Sequence, residues 1–176
     1  MKKLLITLLM SLPLLAGNLQ LKEGFVAAHT EMLMDSTIDP LNTALQADIS
    51  IQADDITSLS GKFWIEMNLF SSDNKDRDEH MHDATEVSKY PLATYTLSKV
   101  TKLRGDNEYK IEGTLNFFSQ SKPFSTRSEI TLEKGILTIN ATSMIKVSDY
   151  GLDMPCILFM CVRDEVDLFI KAVLVQ

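Results

Sequence analysis

The densest set of groups able to do chemistry lies between Asn74 and Tyr95, where Lys75-Asp76-Arg77-Asp78-Glu79-His80-Met81-His82-Asp83 leads to Tyr90-Pro91. Two chemistries follow from these residue types. A metal site would draw on Glu79, His80, His82 and Asp83. His-x-His suits zinc on a strand, but on a helix an offset of two diverges, and no cysteine lies near in sequence. Acid–base catalysis would pair His80 with Asp78 or Glu79. No nucleophile motif such as Gly-x-Ser-x-Gly and no Cys-His set accompanies them. A structural role fits the block better. As a short helix, offsets of three and four bring Arg77, His80 and Met81 to one side. Arg77 then pairs with a carboxylate through its planar fork, Glu79 belongs to the same framework, and Met81 faces inward as the helix plugs one end of the fold. The expectation is a protein that is not an enzyme, with no metal site and no cofactor.

The remaining candidates are sparser. Cys156 and Cys161 are five apart, which on one extended strand separates them by about 16 Å, beyond the roughly 7 Å within which a disulfide forms. Ile157-Leu158-Phe159-Met160 does not look like a turn, so the pair reads as two buried thiols. The compartment argues the other way. His29 reads as a strand histidine and Trp64 as a core or rim aromatic. Asn140-Ala141-Thr142 matches a glycosylation sequon, a motif common by chance.

The elements that must position these residues are strands. Phe63, Ile65, Met67 and Leu69 share one face after Gly61. Tyr109, Ile111, Leu115 and Phe117 share another, and Val166, Leu168, Ile170 and Ala172 a third. Turn signals at Arg104-Gly105-Asp106-Asn107, Ser121-Lys122-Pro123, Glu133-Lys134-Gly135 and Asp149-Tyr150-Gly151 separate such runs. The predicted strands are 24–34, 44–53, 57–70, 92–103, 108–118, 123–133, 135–147 and 162–175. Several are apolar on both faces, which a sheet with one wet face would not need. The fold class is therefore all-β: an eight-stranded antiparallel barrel with a short helix closing one end, and one face lining an interior cavity. Methionines such as Met67, Met81 and Met144 suit a pocket that adapts to an apolar ligand.

The first residues speak to destination. Met1-Lys2-Lys3, an apolar run from Leu4 to Leu15, and Ala16-Gly17 have the layout of a secretory signal peptide. The run falls short of the roughly 20 residues that span a bilayer. Leu14-Leu15-Ala16-Gly17 starts like a lipoprotein box, but Asn18 replaces the required cysteine. The division is thus 1–16 signal peptide and 17–176 one barrel domain, periplasmic or secreted and not lipidated, with no integral membrane segment after signal removal. The whole chain has 17 basic and 24 acidic residues, for a net charge of -7. With no basic stripe interleaved with aromatics, nucleic acid is excluded as a partner.

Arg77-Asp78-Glu79-His80-Met81, Tyr90-Pro91-Leu92-Ala93-Thr94-Tyr95, Tyr109-Lys110-Ile111-Glu112-Gly113-Thr114-Leu115, Ser121-Lys122-Pro123, Ser148-Asp149-Tyr150-Gly151 and Arg163-Asp164-Glu165-Val166 occur in the order and approximate spacing of the YceI-like family. The chain resembles that family over about residues 55 to 175. The resemblance implies a bacterial, periplasmic or secreted protein folded as a lipocalin-like barrel that holds a polyisoprenoid or other long-chain amphiphile, commonly as a homodimer. It also implies that Tyr95 faces inward, taking Ala93 and Leu97 with it, and that Tyr109, Ile111, Leu115 and Phe117 are its companions on the next strand. With Phe63, Ile65, Met67 and Leu69 these make the expected ligand-binding set, while Arg77, Glu79 and Met81 are the expected structural residues. The chain departs from the family's pattern at Ala27-Ala28-His29-Thr30, at Ser119 and Ser121, and around Pro155-Cys156, places that set pocket shape.

The function expected is that of a binding protein holding a long-chain lipid or isoprenoid in the barrel for transport, storage or sensing. One alternative is a metal- or acid/base-dependent enzyme acting on a lipid-like substrate, which needs titratable groups converging inside the barrel. The other is a ligand-free interaction protein, whose core would be filled.

Overall fold

The computed structural model describes residues 16–32, 36–153, 156–157 and 160–176. The apolar leader therefore lies almost wholly outside the described residues. In chain order the elements are β1 (Ala16–Met32), β2 (Ser36–Ile38), β3 (Leu41–Asn42), β4 (Gln46–Gln52), β5 (Asp55–Glu66), α1 (Lys75–Ala84), β6 (Leu92–Lys102), β7 (Glu108–Phe117), β8 (Gln120–Glu133), β9 (Ile136–Lys146), β10 (Cys156–Ile157), β11 (Met160–Cys161) and β12 (Glu165–Val175).

Eight of these close into an antiparallel barrel in the order β1-β4-β5-β6-β7-β8-β9-β12. The pairing of β12 with β1, from Gln20 opposite Val175 to His29 opposite Asp167, completes the circle. Closure removes the unpaired edges that would otherwise invite association. It depends on the length of β1, which begins well before the predicted residue 24. Its first residues pair with β4, its middle with β12 and, at Val26 and Ala27, also with β3, and its far end with β2. A register shift between Leu21 and Glu23 supplies the bend that one strand needs to serve two neighbours.

The hairpins show why turns fall where they do. Ala53-Asp54, Phe118-Ser119 and Lys134-Gly135 each have two successive positive φ angles, the geometry of a two-residue turn whose twist matches that of the strands. The turn predicted at Ser121-Lys122-Pro123 is thereby corrected: the chain reverses at Phe118-Ser119, and those three residues belong to β8. Pro123 is tolerated there because β8 pairs with β9 only from Arg127 onward, so Pro123 has a single neighbouring strand.

Inward side chains fill one end of the barrel and leave the other open. At the filled end Ile49, Ile51, Ile130, Leu137 and Leu174 are at most 2% exposed, and Leu19, Leu59, Leu97, Val100 and Tyr109 are buried with them. At the other end Phe117, Val147, Tyr150 and Leu152 form a second cluster. There Ser148 donates from its backbone N–H and its hydroxyl to the two Asp164 carboxylate oxygens, at 2.8 and 2.7 Å. That joins two of the sequence motifs across 16 residues.

The charged block is indeed a helix. Asn74 caps it by accepting the Arg77 N–H at 3.1 Å, and Asp78 accepts from the N–H and hydroxyl of Ser72 at 2.8 and 2.7 Å. None of its residues is fully buried, so it depends on its caps and on its tethers to the barrel. His82 Nε2 lies 2.8 Å from the Phe70 carbonyl oxygen and Arg77 Nη1 donates to the Thr37 carbonyl at 2.7 Å. The expected Arg77–carboxylate pair is corrected: the guanidinium binds a backbone oxygen of the β2 segment, the group that the chain places against it.

The region around the cysteines also differs from expectation. Cys156 stands opposite Cys161 in the short β10–β11 pair. The chain does turn between them, so the 16 Å separation of a single strand does not apply. Opposed positions in an antiparallel ladder have Cα atoms about 4.5–5.5 Å apart. Their side chains, and hence their thiol state, lie outside what is described.

Candidate ligand-binding cavity

Strand alternation gives the cavity its wall. Phe63 and Ile65 of β5, Ala93 and Tyr95 of β6, and Leu115 and Phe117 of β7 face the barrel axis because they occupy the same pleat phase across the register Phe63–Tyr95–Leu115. Ile139, Ala141 and Ile145 of β9 and Val166, Leu168, Ile170 and Ala172 of β12 complete the far side, with Val26 and Ala28 of β1 between. Together they enclose about 800 Å³, open at one end. Met67, Phe70, Met81, Ile38 and Pro40 narrow that opening.

Tyr95 is the pivot of the wall. Its hydroxyl lies 3.3 Å from both the Ile111 and the Phe124 carbonyl oxygens, and its ring meets Phe124 edge-on at 5.6 Å. Burial, and secondarily the Glu112 carboxylate, push the phenol well above its ordinary value, so it stays a neutral donor. The ring fits because residue 113 is glycine. A Cβ there would sit 2.3 Å from the Thr96 carbonyl oxygen and 2.7 Å from Tyr95 Cε2.

Polar groups cluster at the opening. Arg77, His80 and Asp83 of α1 and its C-cap Thr85 border it, joined by Asp153. The strap from β2 to β3 is bound to the barrel by Ala28 N–H to the Pro40 carbonyl at 2.9 Å and by reciprocal bonds between Leu41 and Ser71 at 2.8 and 3.1 Å. His29 Nδ1 meets Asp39 Oδ1 at 2.5 Å. That contact raises the imidazole above and holds the carboxyl below their usual values. Among the described residues, no three His, Cys, Asp or Glu side chains converge as metal ligands would.

Of the expected binding set, Phe63, Ile65, Met67, Ala93, Tyr95, Ile111, Leu115 and Phe117 line the cavity. Three do not. Leu69 is corrected because β5 ends at Glu66 and Met67–Leu69 forms a turn of 3₁₀ helix, which breaks the alternation and leaves Leu69 45% exposed. Leu97 and Tyr109 face inward as expected but lie deeper, in the filled end. Of the helix residues, Arg77 and Met81 border the cavity, while Glu79 is exposed and does not. Trp64 touches the rim, and Lys62 Nζ sits 5.4 Å above its ring. Several lining residues were outside the expected set: Val26, Ala28 and Thr30, whose strand was predicted without a facing, and Phe124 and Thr126. The alternation of Leu137, Ile139, Ala141 and Ile145 was legible in the sequence, and it could have identified the β9 contribution.

A family model described as the YceI-like domain matches residues 18–174. No curated protein matches the sequence. Among solved structures, the chain is similar to BcnA of Burkholderia cenocepacia, with a TM-score of 0.75 and 18% identity over 85% of this chain and 95% of that one. A polyisoprenoid binding domain from Saccharophagus degradans implicated in plant cell wall breakdown gives a TM-score of 0.68 and 14% identity over 90% and 98% of the two chains. The YceI protein of Campylobacter jejuni gives 0.65 and 20% over 99% and 91%. At these identities the likeness is one of fold.

Proposed function

The chain belongs to the YceI-like domain family, and from that premise we propose that it is a binding protein which holds a long-chain amphiphile, a polyisoprenoid or fatty-acid-like lipid, in its barrel. The observation that carries this reading is an apolar cavity of about 800 Å³ inside a closed barrel with one open end. Affinity comes from burial, at about 0.8 kcal/mol per methylene. Ten buried methylenes contribute about 8 kcal/mol gross, enough for roughly micromolar binding before ordering costs. Arg77, His80, Asp83 and Asp153 contact a polar group at the rim.

The cavity counts against a ligand-free interaction protein, whose interior would be packed. An enzyme would need a base and a reacting centre inside the barrel, whereas the Tyr95 phenol on the cavity wall is held neutral by burial and the charged groups lie at the rim. Residues 1–16 support export to the periplasm or beyond. Exposed Met144 and Phe169, each 47% accessible on adjacent strands of the outer wall, are the surface on which a homodimer would form. The test is native mass spectrometry of protein purified without detergent, followed by lipid extraction. A stoichiometric long-chain species is expected, and its repeated absence under gentle conditions refutes the carrier.

A further inference from the structure

The floor of the cavity carries a polar pair in otherwise apolar surroundings. Thr126 lines the cavity and is 5% exposed; Ser128, two residues on along β8, lies behind it and is 2% exposed. Their hydroxyl oxygens are 3.0 Å apart. Among the described residues each is the other's only hydrogen-bond partner. Ile111 stands opposite Thr126, and Tyr109 and Ala141 stand opposite Ser128, in the neighbouring strands; of these only Tyr109 carries a polar group, and among the described residues no hydrogen bond joins its hydroxyl to either member of the pair.

Proton counting makes this pair informative. Two hydroxyls own two hydrogens, and a single bond between them uses one. If Thr126 donated to Ser128, the spare hydrogen would belong to Ser128, which does not border the cavity. If Ser128 donates to Thr126, the spare hydrogen belongs to the residue that does border it, where an acceptor can be supplied. Leaving a buried donor unmatched is costly, which favours the second arrangement. Tyr95 does not supply the acceptor, since its hydroxyl is committed to the Ile111 and Phe124 carbonyls.

We propose that Thr126, backed by Ser128, is a deep hydrogen-bond anchor for a neutral acceptor oxygen, such as a carbonyl or ether, on the buried end of the ligand. The inference rests on the carrier reading and extends it: the ligand is not a plain hydrocarbon at the end that reaches the floor. A carboxylate or phosphate is excluded there, because the lining at that depth holds no cation and an unpaired buried charge is far more costly than a neutral dipole.

The test compares two probes of matched length, a C16 methyl ketone and a C16 terminal alkene, each displacing a fluorescent apolar dye from the full domain. The ketone is expected to bind about tenfold more tightly, the effect of one buried hydrogen bond. Thr126→Val, which keeps the shape and removes the hydroxyl, abolishes that ratio. Thr126→Ser, which keeps the hydroxyl, retains it. Equal binding of both probes by the wild type, or an intact ratio in Thr126→Val, overturns the anchor alone and leaves a water as the acceptor. Failure of both probes to displace the dye overturns the carrier reading, and the anchor with it.

Discussion

Replacing Gly113 with alanine adds one methyl group where β7 pairs with β6. The new Cβ would lie 2.3 Å from the Thr96 carbonyl oxygen, and 2.7 and 2.8 Å from Tyr95 Cε2 and Cζ. Real Cβ contacts essentially never fall below 3.0 Å, so the oxygen must move by at least the difference, 0.7 Å. That oxygen is backbone, in a register where Thr96 stands opposite Thr114 and Leu97 opposite Gly113, so no side-chain rotation relieves it. The ring can yield only by giving up its edge contact with Phe124 and its hydrogen bonds to the Ile111 and Phe124 carbonyls. Overpacking of this kind costs about 1–3 kcal/mol. At roughly 2–4 °C per kcal/mol for a domain of this size, Gly113→Ala should lower Tm by about 2–12 °C in a calorimetric or circular-dichroism melt. A displaced Tyr95 intrudes on the cavity, so affinity for a long-chain probe should fall as well. Gly17→Ala, whose Cβ would meet nothing nearer than 4.0 Å, is the matched control and should leave both unchanged. An unaltered melt and unaltered binding in Gly113→Ala would refute the argument that this glycine makes room for Tyr95.

Three further outcomes follow from the geometry. The His29–Asp39 contact strengthens the strap's hold in a bounded pH window. The raised imidazole contributes fully below its ordinary value of 6.5 and loses that contribution as pH rises through its folded value; the lowered carboxyl contributes above 3.8 and loses it as pH falls through its own. Asp39→Asn should therefore return the His29 pKa towards 6.5 in an NMR titration, and an unchanged value would contradict the pairing. Asn74→Ala removes the cap that accepts the Arg77 N–H and should destabilise α1 by about 1 kcal/mol, seen as faster amide exchange across 75–84 with the barrel strands unaffected. Ala141→Trp, placed on the wall of the cavity, should reduce lipid loading in native mass spectra far more than Leu69→Trp, whose side chain points outward.

The alternating runs were enough, without coordinates, to identify the strands and their apolar phase, because side-chain direction in a strand has a period of two and a buried face must be apolar. Alternation put Phe63 with Ile65 and Leu115 with Phe117 on shared faces, whereas the inward facing of Ala93 and Tyr95 was implied by the family resemblance; all six line the cavity. Alternation says nothing about depth. Leu97 and Tyr109 have the same phase as Tyr95 and Ile111, and only the packing of Ile49, Ile130, Leu137 and Leu174 decides that their level of the barrel is filled. Nor does it locate a strand's end: Leu69 continued the pattern on paper, and the 3₁₀ turn at Met67 sent it outward.

Partner choice lay equally beyond the sequence. A guanidinium seeks whatever acceptor is near, and the Thr37 carbonyl, 40 residues away, is near only because β2 folds over the opening. The cysteines' opposition likewise arises from a hairpin that no turn residue announces. By itself, then, the sequence determined alternating strands with their apolar phases and a short charged helix begun by the Asn74 cap, since those features rest on local periodicity and local hydrogen bonds. The tertiary structure decided the cavity's extent, the residues at its floor and the groups at its rim. Those properties depend on which side chains from eight strands meet at one level of the barrel, and that meeting is set by register and closure.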